Sequence, residues 1–138
     1  MRTITITGLV AVAFLTFGTG CDSKVGECNA LIKVINDAQA KIKFGGGADP
    51  AALDKAATDI DAAASAVGAA EVSLPELSKF RDDYKQLLTD TAKAMRDTAT
   101  AAKSQDLAKL TSVTKDLSKA GANASKLTGE INTFCGGK

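Results

Sequence analysis

Apolar residues recur at intervals of three and four along most of the chain, and this rhythm is broken at three places. From Ser23 to Phe44, the residues Cys28, Leu31, Ile35, Ala38 and Ile42 fall on one helical face, and Gly45-Gly46-Gly47 ends the pattern. Asp49 is then a cap, and Pro50 at the first helical position starts a second helix with Leu53, Ala56, Ile60, Ala63 and Val67 on one face, up to Gly68. A third start reads Ser73-Leu74-Pro75-Glu76, with Ser73 and Glu76 spaced as a capping box. Its stripe is Leu77, Phe80, Tyr84, Leu87 or Leu88, Thr91, Met95 and Thr98, fading into Ala101 and Ala102. Ser104 is the expected cap of a fourth helix. There Leu107, Leu110, Val113, Leu117, Ala120, Ala124, Leu127, Ile131 and Phe134 form the longest stripe of the chain, up to Gly136-Gly137. Gly121 interrupts that helix and predicts either a kink or the close approach of a neighbour.

Four amphipathic helices on short connections predict an all-α, antiparallel up-down-up-down bundle. In that topology the start of the first helix and the end of the fourth share one end. Cys28 and Cys135 sit at those two places. A bridge closing a loop of about 100 residues contributes roughly 4.7 kcal/mol in the chain-entropy model, an upper figure. The opposite tip, built from residues 45–49 and the turn expected at Thr100 to Ser104, is the part freest to meet a partner.

Ahead of the first helix the pattern changes. Arg2 is followed by an apolar run from Leu9 to Phe17 and the small residues Gly18-Thr19-Gly20 before Cys21. The run is far short of the roughly 20 residues a spanning helix needs, so it reads as a secretory leader. The expected organisation is therefore a signal peptide over 1–20, a short tether over 21–27, and a bundle domain over 28–138.

Gly18-Thr19-Gly20-Cys21 resembles the lipobox of bacterial lipoproteins, although the family prefers an aliphatic residue where Gly18 stands. The resemblance covers residues 1–22. It implies cleavage before Cys21, acyl chains on that cysteine, and a lipid anchor in the cell envelope with the domain outside the cytoplasm. Two or three chains on one residue hold a protein at a membrane essentially permanently. Ordinary cleavage with an unmodified Cys21 is the alternative, and inner and outer membrane both stay open. An oxidising envelope also suits a Cys28–Cys135 disulfide.

Charge narrows the partners. Of 17 basic and 16 acidic side chains only Arg2 lies in the leader, so the processed chain is balanced and its lysines alternate with aspartates. That is the look of solvated helix faces and gives a nucleic acid nothing to bind. There is no histidine, which removes Ser-His-Asp and Cys-His mechanisms, haem ligation by histidine and the di-iron pattern of ferritin-like bundles. The two remaining cysteines lack the spacing of a metal or redox pair, and residues 45–47 lack the Lys-Ser/Thr of a phosphate cradle. Asp59 with Asp61, and Asp82 with Asp83, are carboxylate neighbours that point apart on a helix. Tyr84 reads as a core aromatic with its hydroxyl at the rim.

The sequence thus predicts no enzyme, no cofactor and no metal, and leaves the oligomeric state open. The leading expectation is a membrane-tethered helical interaction module for another envelope component. The alternative is a lipoprotein that holds a small apolar molecule or lipid between its helices. A dry, filled core would favour the first, and a continuous apolar cavity of a few hundred Å³ the second. The Ala-rich seams argue for a filled core.

Overall fold

A computed structural model describes residues 22–43 and 49–136. Four helices account for nearly all of them: α1 (Asp22–Lys41), α2 (Pro50–Gly68), α3 (Pro75–Ser104) and α4 (Leu107–Gly136). Residues 1–20, expected to be a leader, together with Cys21, Phe44, the glycine run at 45–47 and Gly137 lie outside the described residues.

The local chemistry explains where each helix starts. Asp49 caps α2, its carboxylate accepting from the Ala52 amide at 3.1 Å, with Pro50 in the first turn as the sequence predicts. At α3 the expected capping box does not form. Pro75 takes the first helical position, which makes Leu74 the cap residue and puts Ser73 and Glu76 one step out of register for reciprocal bonding. The work passes to Glu27 of α1. Its carboxylate accepts from the Ser73 amide at 2.7 Å, the Ser73 hydroxyl at 2.5 Å and the Leu74 amide at 3.0 Å. These bonds hold its pKa below the ordinary glutamate value, the Ser73 hydroxyl contributing most.

Ser104 is not the cap of α4 but the last residue of α3, its hydroxyl donating back to the carbonyls of Thr100 and Ala101. Gln105 ends α3 in the left-handed region at φ 55°. Asp106 then caps α4, its carboxylate accepting from the Lys109 amide at 2.9 Å. The turn expected at Thr100 to Ser104 is therefore a tight link at residues 105–106. α1 also ends earlier than its stripe predicts, at Lys41, with Ile42 and Lys43 past the helix.

The topology is the antiparallel up-down-up-down bundle, closed at one end by a Cys28–Cys135 disulfide with Cα atoms 5.7 Å apart. Its packing is uneven. The α2–α3 hairpin is the tightest pair, α4 lies along α3, α1 packs chiefly on α2, and α2 and α4 do not touch. The largest fully buried side chains are Leu31, Ile60, Leu77, Val67 and Cys28, from the first three helices. Each such large aliphatic stabilises the fold by about 1.5–3 kcal/mol. Leu127 and Ile131 carry the second half of α4 into this core, and Phe134 meets Phe80 edge-on at 5.8 Å between centroids. The first half of α4 does not follow. Only Val113 is buried there, while Leu110 and Leu117 are half-buried and Leu107 is 76% exposed.

Candidate functional site

The groups that could do chemistry are dispersed and neutralised. Asp59 pairs with Lys55 at 2.9 Å while Asp61 pairs with Arg96 of α3, so these two carboxylates serve different helices. Asp82 pairs with Arg81 at 2.8 Å and Asp83 with Lys79. The hydrogen bond from Lys55 lowers the pKa of Asp59, and that from Arg81 lowers the pKa of Asp82. Among the described residues no group of three or more His, Cys, Asp or Glu side chains could hold a metal ion. The Cys28 and Cys135 sulfurs are consumed by their bridge.

The site that does form is apolar, and a mismatch of helix lengths produces it. α1 has 20 residues, whereas α3 and α4 have 30 each. Running from the disulfide end, α1 lies chiefly on α2, with slight contact to α3 and α4, and then stops. Beyond that point a crevice of about 430 Å³ opens between the helices. Gln39 and Ile42 at the end of α1 form one wall, and Leu117, Ala120, Gly121 and Ala124 of α4 form the other. The floor is Ile60 of α2 with Tyr84, Leu87, Leu88, Thr91 and Met95 of α3. Among the described residues no charged side chain lines it. Tyr84 and Met95 are eleven residues apart on α3, so the crevice extends about 16 Å at 1.5 Å per residue.

Its few polar groups are already engaged with protein. The Gln39 amide donates to the Tyr84 hydroxyl, and the Thr91 hydroxyl donates to the Leu87 carbonyl at 2.8 Å. Burial raises the pKa of Tyr84, and the Gln39 bond offsets part of that rise, so the phenol stays protonated and keeps its own hydrogen to donate. Tyr84 is 2% exposed and belongs to the core, as the sequence predicts, with its hydroxyl at the crevice end nearer the disulfide.

Gly121 does not serve the close approach of a neighbouring helix. α4 continues through it, and a Cβ built there would meet nothing within 4 Å, so no neighbouring helix approaches. With Ala120 and Ala124 it forms a helical face of small residues, next to Leu117, that leaves the crevice open. Gln39 and this face of α4 were not singled out from the sequence as a site. The available signal was the count of residues per helix, with an Ala/Gly face on α4 beyond the reach of α1. No family model, no curated protein and no solved structure matches the chain.

Proposed function

We propose that this protein is a lipid-anchored protein of the bacterial cell envelope that carries a small apolar molecule in the crevice between its helices and performs no catalysis of its own. The observation that carries this reading is the crevice. Its volume lies within the roughly 300–1,000 Å³ of small-molecule sites, its lining is apolar, and all four helices contribute to its walls and floor. A module that works only by docking to another protein needs no such opening, so the second of the two sequence-based expectations is favoured. The address rests on the lipobox-like Gly18-Thr19-Gly20-Cys21. No helix among the described residues is long and apolar enough to cross a membrane, and acyl chains on Cys21 would supply the attachment.

The test is a pair of mass spectra of the protein purified from membranes without reductant, one native and one denatured, repeated in two chemically different detergents. The denatured mass is expected to carry acyl chains and to lack two hydrogens for the Cys28–Cys135 bridge. The native mass is expected to carry an extra non-covalent component that stays the same in both detergents. A bare native protein would return the search to protein partners, and an unacylated Cys21 would remove the anchor.

A further inference from the structure

We infer that the occupant of the crevice is an uncharged amphiphile: an extended apolar body with one oxygen-bearing head group, such as a long-chain alcohol, ketone or ester, seated head-first against Tyr84. This deepens the reading of the crevice as a ligand site and rests on it. Three observations define the class.

The first is charge. Among the described residues no Lys, Arg, Asp or Glu lines the crevice. Lys43, just past the α1 wall, is not among the lining residues, and its backbone amide and charge help to lower the pKa of Asp59 on α2 after the larger effect of Lys55. An ion taken inside would lose its hydration and gain no counter-charge, which disfavours fatty acids, phosphates and quaternary amines alike. The second is the polar end. The Tyr84 oxygen accepts from Gln39, which leaves its O–H free to donate, and Gln39 retains its carbonyl and a second N–H. A phenol O–H at the end of an apolar crevice suits a hydroxyl or carbonyl oxygen on the ligand. The third is direction. From Tyr84 the lining turns aliphatic along Leu87, Met95 and Leu117, so a head group held at Tyr84 directs its chain about 16 Å toward Met95. The Met95 thioether on an unbranched side chain adapts to chains of different shape.

The experiment uses the processed chain carrying Cys21→Ser, which stays free of membrane and keeps every crevice residue. A neutral naphthylamine fluorophore first reports whether the crevice takes an apolar molecule at all. It is then displaced by decanol, decanoate and decyltrimethylammonium, which share one chain and differ in charge. Decanol is expected to compete at least about tenfold more tightly than either ion, the ratio set by burying an unpaired charge. Tyr84→Phe is expected to lower the decanol-to-fluorophore affinity ratio by roughly three- to tenfold, the loss of one hydrogen bond. Gly121→Leu, whose side chain grows from a position with open space around it, is expected to exclude fluorophore and alcohol together. Equal competition by all three, or tighter binding of an ion, overturns the uncharged class while the crevice stands as a site. A wild-type protein that takes up no fluorophore overturns the site itself, and this inference with it.

Discussion

Gly121 shows how one residue trades stability for space. Inside a helix, glycine costs about 1 kcal/mol relative to alanine because its unfolded backbone has more freedom to lose. A glycine inside a helix can make room for a close neighbour, yet here an added Cβ meets nothing within 4 Å. Gly121→Ala is accordingly expected to raise stability by about 1 kcal/mol, read as a higher urea midpoint at unchanged slope. A lower midpoint would mean that the helix needs flexibility at this point. The result also separates two readings of the residue. If alanine stabilises, nothing in the fold requires glycine, and the open face it leaves beside Leu117 and Ala124 is the remaining reason for its use.

At the scale of elements, much was legible because the signals were local. Asp49-Pro50 sets the start of α2 through a side chain three residues from its donor, and Gly68 closes it. The same local logic failed at Ser73. The residue that satisfies the start of α3 is Glu27, 46 positions earlier, and no pattern within a helical turn announces a partner that distant. Ser104 failed for a different reason: Gln105 could enter the left-handed region, and that one dihedral passed the cap to Asp106. Periodicity correctly named the face of α4 that turns inward, but periodicity does not say how far the opposing helix reaches. Leu107 and Leu110 stand on the right face with too little opposite them, and the crevice follows from that shortfall.

Glu27 consequently joins two elements and should make their junction sensitive to pH. Its folded pKa is depressed, so its contribution is complete above the ordinary glutamate range and is lost as pH falls through the folded value. Glu27→Gln is expected to lower stability at neutral pH, and the difference from the wild type should shrink and vanish on acidification through that range. Urea midpoints of the two proteins across the titration check it. A difference independent of pH would show that shape, not charge, holds the junction.

For the whole molecule, the decisive feature is how little besides the disulfide joins the first helix to the last. α4 is supported along its length by α3, and α1 by α2, whereas direct contact between α1 and α4 is slight. Cys28 and Cys135 are 107 residues apart in sequence, so the bridge constrains nearly the entire folded chain in the unfolded state. In the chain-entropy model that is worth up to about 4.7 kcal/mol, a large share of the roughly 5–15 kcal/mol that holds a domain of this size together. Replacing both cysteines, as Cys28→Ser with Cys135→Ser, is expected to remove much of that amount without abolishing the α2–α3 hairpin. The loss should also be uneven. Amide exchange should accelerate most in α1 and in the last turns of α4, which the bridge joins to each other, and least in α2 and α3, whose shared surface is intact. Since Gln39 and Ile42 stand at the far end of α1, the same loosening should weaken fluorophore uptake by the crevice. Uniform acceleration across all four helices would instead mean that the bundle opens as a single unit. In that case the bridge would stabilise the chain as a whole and play no separate part in holding the crevice wall in place.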